Sequence, residues 1–333
     1  MAGLNPTEFL ATRVPQVLTE NAATSNAAPT ATAPTFTPAP STTPISPRTP
    51  TRRAAPSSTP TPTLEASPYP TLELANFPPP PPAFEGEAHF YFQRPIGEGG
   101  SPFIASSYRY GSTNNHRFET HHGVEFPNGG GIPLVAVAPG TIYYAGSDLD
   151  RAFGPQTDFY GNLVVLQLAE PWFGHTVYAL YGHMDQVMVQ IGQAVNTYDL
   201  LGTVGATGVA LGAHLHFEAR LDNPESYWAT RNPELWLAPI NPNYGTVAVR
   251  VTNAFDQYLP GVRVDLFCSD GGKRFLDTYW DWGVTPDDLY GENAAMTDVP
   301  AGYCRAATTV DGQSIEQEFD VQAGAVNFVW LTP

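Results

Sequence analysis

The feature that most restricts the fold of this chain is the shape of its apolar runs. Residues 134–138, 141–145, 163–168 and 177–181 are short stretches of Val, Ile, Leu, Ala and Tyr, with Gly and Pro standing between them. Such runs are too short for helices of ~10–12 residues and fit buried or half-buried strands of about 4–8 residues. Only 233–237 hints at a helical turn. Residues 86–240 therefore read as an all-β domain. From Asn241 the texture resets. Residues 247–252 alternate in polarity, 256–260 turn, 262–267 alternate again, and 319–331 supply further strand material. Short strands at that spacing predict a small β-sandwich over 241–333.

Ahead of these segments the chain changes character. Of its 34 prolines, 17 fall between positions 21 and 85, among Ser, Thr and Ala. Such a stretch cannot bury enough apolar surface to offset the entropy of ordering, so 21–85 reads as a disordered linker. Polyproline II geometry gives it an upper reach on the order of 200 Å. A passive spacer is the preferred reading, with an SH3-type docking ligand as the alternative. Residues 1–20 form a separate N-terminal segment that nothing in the sequence fixes. The 248 residues that remain suffice for one large or two modest domains.

Charge excludes some partners. The formal net charge is −17, and all but −1 of it lies beyond residue 85. A surface of that sign repels phosphate backbones and anionic lipid, which argues against nucleic-acid binding. The apolar runs fall far short of the ~20 residues a membrane-spanning helix requires. Residues 1–20 contain Glu8 and Arg13 and lack the apolar core of ~7–15 residues that marks a signal peptide. Two cysteines, Cys268 and Cys304, are too few for a disulfide scaffold or a structural zinc site.

The histidines are placed unevenly. Five of the eight lie in three motifs, His121-His-Gly-Val-Glu125, Tyr181-Gly-His183 and His214-Leu-His216, each on or beside an expected strand. Strand side chains alternate faces with period two. His214 and His216 therefore share a face. His121, Gly123 and Glu125 share another, while His122 points away. Two imidazoles and a carboxylate make the three-protein-ligand set of a catalytic zinc site, with water in the fourth position. His121 and Glu125 are the expected ligand pair. If His216 completes the set, His214 lines the same groove unligated. His183 ends a strand whose other residues on that face are Ala179 and Tyr181, and it also has access to the cleft. Each motif alone has an ordinary structural explanation; the three together in one Gly-rich β domain point to a metal site. His89, His116 and His175 read as structural or surface residues. Tyr110 is left between the cleft mouth and packing.

These motifs carry a resemblance. The blocks His121-His-Gly-Val-Glu125, Ile132-Pro-Leu-Val-Ala-Val-Ala-Pro-Gly140, Tyr160-Gly-Asn-Leu-Val-Val165 and Tyr181-Gly-His183 resemble the lysostaphin-like zinc metallopeptidases. So do Gly192-Gln-Ala-Val195, Leu201-Gly202, Gly205-Ala-Thr-Gly208 and Gly212-Ala-His-Leu-His-Phe-Glu218. The resemblance covers about residues 108–220. It implies a duplicated-hybrid-motif β fold and a zinc-dependent endopeptidase acting on the peptides of peptidoglycan, in wall remodelling or lysis. It also implies an extracytoplasmic location, in the cell envelope or secreted. By position, His121, Glu125 and His216 resemble the zinc ligands, one ion per chain, and His183 and His214 the two catalytic histidines. The family's first motif ends in Asp where this chain has Glu125. The extra methylene moves the carboxylate by ~1.5 Å unless the rotamer compensates, and Glu is itself a competent zinc ligand. Some relatives have lost ligands and act as amidase activators. A non-catalytic peptidoglycan-binding or activator protein is thus the alternative, and a zinc protease of non-wall proteins a third. All four histidines are kept here, which favours the enzyme.

In such a site one of His183 and His214 takes a proton from water and the other assists the oxyanion or the leaving amine; the sequence does not divide these roles. Residues 202–212 are expected to form the groove wall before the His214 strand. The C-terminal segment resembles carboxypeptidase-regulatory or collagen-adhesin B-type sandwiches, through Gly245-Thr-Val-Ala-Val-Arg-Val251, Leu259-Pro-Gly-Val-Arg-Val264 and Met296-Thr-Asp-Val-Pro-Ala-Gly-Tyr303. It shows no catalytic cluster and reads as a spacer or wall-binding accessory. Trp280 and Trp282 read as core aromatics, with glycan binding as the alternative. An extracytoplasmic location favours a Cys268–Cys304 bridge; in the cytosol two buried thiols are the default. Closing that loop would contribute about 4 kcal/mol by chain entropy.

Overall fold

The computed structural model describes residues 88–280 and 283–333. The expectations for 1–20 and 21–85, and for Trp282, lie outside the described residues.

The short apolar runs become strands. The first nine are β1 (Val124–Pro127), β2 (Pro133–Val135), β3 (Gly140–Ser147), β4 (Asn162–Leu168), β5 (Val177–Val187), β6 (Ala194–Val195), β7 (Leu200–Val204), β8 (His214–Leu221) and β9 (Thr230–Arg231). They form one nine-stranded sheet in the order β1-β8-β5-β4-β3-β6, with β7 joining β2 to β5 and β9 beside β8. One face of the sheet buries Phe126, Tyr181, Leu215 and Phe217 in the main core. The other face carries Glu125, His214 and His216. The expected helical turn is α1 (Pro233–Trp236), capped by the Asn232 side chain accepting from the Glu234 amide, with Pro at its first turn.

The C-terminal segment supplies β10 (Tyr244–Val251), β11 (Arg263–Cys268), β12 (Lys273–Asp277), β13 (Ala294–Pro300), β14 (Gly302–Val310), β15 (Gln313–Val321) and β16 (Val326–Leu331). They make a three-stranded sheet, β13-β10-β16, and a four-stranded sheet, β12-β11-β14-β15. The two sheets enclose a second core of Val247, Val249, Leu266, Met296, Ala306 and Val329 among others. Cys268 and Cys304 face each other across β11 and β14 and are joined as a disulfide.

The two segments share buried contacts. Asn232 Nδ2 donates to Tyr279 Oη at 2.8 Å, and the Thr297 amide donates to Glu234 Oε2 at 2.9 Å. The Thr285 amide donates to Tyr110 Oη at 3.1 Å, and Arg94 pairs with Asp298 at 2.6 Å. Tyr110 packs edge-on against Tyr279, with ring centroids 5.2 Å apart. Gly111 is confined by this contact: its φ is +74°, and a Cβ there would lie 2.2 Å from the Tyr279 ring.

Candidate metal centre

Antiparallel pairing assembles the centre. Glu125 on β1 lies opposite His216 on β8, and Gly182 on β5 lies opposite His216 from the other side. His121 precedes β1 and folds back over the same face. His121 Nε2 is 2.9 Å from Glu125 Oε1, His216 Nδ1 is 3.1 Å from that oxygen, and the two nitrogens are 3.2 Å apart. The approach requires Gly123, because a Cβ there would stand 2.6 Å from the Phe217 carbonyl and 2.8 Å from the His216 ring. Glu125 thus reaches the two imidazoles despite its extra methylene.

The backing of each imidazole defines its tautomer. His121 Nδ1 lies 3.0 Å from the Tyr108 carbonyl, which can only accept. That nitrogen carries the proton, and the Nε2 lone pair faces Glu125. His216 Nε2 lies 2.9 Å from Glu218 Oε1, so its proton is on Nε2 and the lone pair of Nδ1 faces inward. With both imidazoles neutral, three donor atoms converge with no proton of their own between them. Bonds of ~2.0–2.1 Å in a tetrahedral shell place ligand atoms about 3.3 Å apart, close to the observed triangle. The residues fit a zinc ion.

Burial and charge act together here. The Glu125 carboxyl is held well below the usual carboxylate range: burial would raise it, but His216, His121 and His214 outweigh burial. Burial pulls His121 down. His216 is raised to about 9, because Glu125 and Glu218 override the burial that would lower it.

His183 arrives by a route that strand alternation does not give. A regular strand would put it on the face of Ala179 and Tyr181, which is the main core. The pairing of β4 with β5 is irregular between Asn162 and Val164, and His183 has φ +61°. This bulge turns the side chain through to the face of His216, with ring centroids 5.7 Å apart. A non-glycine residue held in that region is strained, and such strain clusters at functional sites. His183 Nδ1 lies 2.8 Å from the Thr207 carbonyl, which leaves the Nε2 lone pair to the cleft. Burial, with His216 and His214 close by, lowers this imidazole to about 4. His214 differs: Nδ1 is 2.8 Å from the Gly212 carbonyl and Nε2 is 2.9 Å from Glu125 Oε2. With acceptors at both nitrogens it is raised, since Glu125 outweighs the effect of burial.

Several residues round the centre were not singled out from the sequence. Glu218, fully buried, accepts from Arg220 Nε at 2.6 Å and from the Tyr160 hydroxyl. Burial would raise this carboxyl, but Arg220 and His216 hold it at about 2. Arg220 also donates to the carbonyls of Phe153 and Pro224. The signal was available: His214, His216, Glu218 and Arg220 fall two apart on one strand face. Tyr108 stacks on His121 at 3.9 Å and 6°. Tyr110, by contrast, is buried packing, with its hydroxyl on Thr230.

His122 is turned away from the centre, stacked on Tyr227 and bonded to Thr230. His89 is buried beside Asp287 and Trp236, and His175 pairs with Asp222 at the surface. His116 is not merely surface: with Arg117 and Phe118 it lines the cleft above the centre, opposite Val209 and Leu211. That cleft has a volume of about 620 Å³.

Residues 119–227 match the model of peptidase family M23. The chain is 34% identical over 127 residues to the DD-carboxypeptidase/endopeptidase Mpg of Neisseria meningitidis, covering 37% of this chain and 26% of that protein. It is 37% identical over 90 residues to the cell division protein DipM of Caulobacter vibrioides, covering 27% of this chain and 13% of that protein. The match thus spans about a quarter or less of these relatives. Among solved structures, the catalytic domain of the M23 protein EnpA from Enterococcus faecalis is 24% identical with a TM-score of 0.34, covering 43% of this chain and 95% of that one.

Proposed function

We propose that this protein is a zinc-dependent endopeptidase that hydrolyses peptide bonds of peptidoglycan at the cell envelope, with residues 86–240 as its catalytic domain and 241–333 as an accessory sandwich. The observation that carries the reading is the convergence of His121 Nε2, Glu125 Oε1 and His216 Nδ1, with His183 and His214 in the same cleft. The named activity of the Mpg relative supports the reaction class. No helix among the described residues is long and apolar enough to cross a membrane.

His121, Glu125 and His216 would hold the ion. When bound, zinc supplies Lewis acidity that polarises a scissile carbonyl and acidifies water. His183 Nε2, unprotonated and open to the cleft, accepts the proton of the attacking water. The Thr207 carbonyl holds that ring in the tautomer the task requires. His214 Nε2–H donates to the developing oxyanion, and the Gly212 carbonyl orients it.

The test is metal content together with turbidity loss of isolated sacculi. Wild type should bind one zinc and lyse them. His216→Ala should lose both metal and lysis. His183→Ala should keep its metal and lose about 10²–10⁴ in rate, the usual contribution of a general base. Zinc bound without lysis of any sacculus type would refute the hydrolase.

A further inference from the structure

We infer that Arg117 reads a free carboxylate on the substrate peptide, presented by a cleft wall that Trp280 of the C-terminal segment holds in place. This deepens the proposed function and rests on it.

The first ground is charge commitment. Ten arginines lie among the described residues. Arg94, Arg109, Arg151, Arg220, Arg231, Arg263, Arg274 and Arg305 all pair with carboxylates. Arg250 is bonded to the Gly291 carbonyl. Among the described residues Arg117 alone has no carboxylate, carbonyl or ring against its guanidinium, although acidic residues outnumber basic ones 32 to 15. It is also the one arginine lining the cleft over the candidate centre. An exposed guanidinium left uncommitted on so acidic a chain, beside a groove sized for a peptide, is placed for an anionic group that arrives with the ligand.

The second ground is that its position is fixed. Asn114, Asn115 and His116 have φ of +48°, +56° and +59°. Three successive non-glycine residues in the left-handed region do not persist without support, since this conformation normally occurs as single residues. Support comes from two sides. The Ser112 and Thr113 hydroxyls accept from the amides of Asn114 and His116, and the Thr113 carbonyl accepts from the amides of Arg117 and Phe118. From the C-terminal segment, the Trp280 amide donates to the Gly111 carbonyl at 2.9 Å and its ring meets His116 edge-on, centroids 4.4 Å apart. The sandwich is thereby part of the cleft wall as well as an appendage to it.

The experiment measures binding by the full chain, zinc-loaded and carrying His183→Ala so that ligand survives. The probes are a peptidoglycan stem tetrapeptide and its fully amidated counterpart. The parent should prefer the acid peptide by about tenfold, the range of one charge-assisted contact. Arg117→Ala should abolish that preference without changing zinc affinity, and Arg117→Lys should restore part of it. Trp280→Ala should weaken the preference and speed hydrogen exchange across 112–120 while zinc stays bound. Retention of the full preference in Arg117→Ala, or no preference in the parent, would overturn the assignment. So would unchanged exchange in Trp280→Ala, for the wall. Because binding is read without turnover, a chain that lyses no sacculus but still discriminates the two peptides sinks the hydrolase reading alone.

Discussion

Substituting Glu218 by Gln changes one atom yet should weaken the metal centre through His216, whose Nε2 lies 2.9 Å from Glu218. Glu218 accepts on Oε1 from His216 Nε2 and the Tyr160 hydroxyl, and on Oε2 from Arg220 Nε. A glutamine has only one acceptor oxygen. The buried guanidinium competes for it more strongly than a neutral imidazole, so the amide oxygen turns to Arg220 and the NH₂ group faces His216 Nε2. A donor there selects the other tautomer: Nε2 must accept, the proton moves to Nδ1, and the lone pair aimed at the metal is gone. Losing the outer partner of a metal-ligating histidine typically costs 10–100-fold in affinity, about 1.4–2.7 kcal/mol. A separate loss falls on stability. Removing one partner of a buried ion pair costs about 3–5 kcal/mol. Arg220 keeps three other acceptors, the carbonyls of Phe153 and Pro224 and the Tyr160 oxygen, so the lower end applies. For a unit of this size that is a fall in Tm of about 6–12 °C.

The assay is zinc competition against a chromophoric chelator, with nitrogen NMR of the His216 ring and a thermal melt in excess chelator. Arg220→Met serves as the control: it breaks the same ion pair but leaves Glu218 accepting from His216, so it should lower Tm while holding zinc within about threefold of wild type. A folded Glu218→Gln variant with wild-type zinc affinity would refute the reasoning. So would weak binding with His216 still protonated on Nε2.

Three further outcomes follow from the same geometry. In metal-free protein His216 is raised to about 9, so protonated His216 contributes stability below pH ~6.5 that is lost as pH rises through 9, on the order of 3 kcal/mol; melts with chelator should fall across that window and zinc-loaded melts should not. Gly123→Ala places a Cβ 2.6 Å from the Phe217 carbonyl and against His216, so metal titration should show weaker zinc binding and calorimetry a lower Tm. Reducing the Cys268–Cys304 bridge should lower stability by about 4 kcal/mol for a loop of its length, read as a lower denaturation midpoint in dithiothreitol.

Strand chemistry made much of this architecture readable. Runs such as 163–168 and 177–181 are β-branched and aromatic, too short to be helices, and they form β4 and the first half of β5. Period two puts His214 beside His216, and in the structure both imidazoles reach Glu125. The same rule, carried two steps further, puts Glu218 and Arg220 on that face as well. Other features were illegible for a definite reason. Alternation assigns His183 to the core face, and only a bulge with φ +61° brings it to the cleft. Gly182 beside it permits a bulge, but a glycine in a strand does not by itself say that a residue is inserted or where. The wall of 112–120 is harder still, because its left-handed turn is stabilised by Trp280, more than 160 residues away in the chain. Local propensity at Asn114-Asn-His116 permits that turn without dictating it, and the partner that decides the matter belongs to the segment read as an accessory. A site described only by its five ligand and base residues would therefore miss how it is aimed: His183 by backbone strain, His216 by a buried carboxylate, and the cleft wall by a tryptophan from the C-terminal segment.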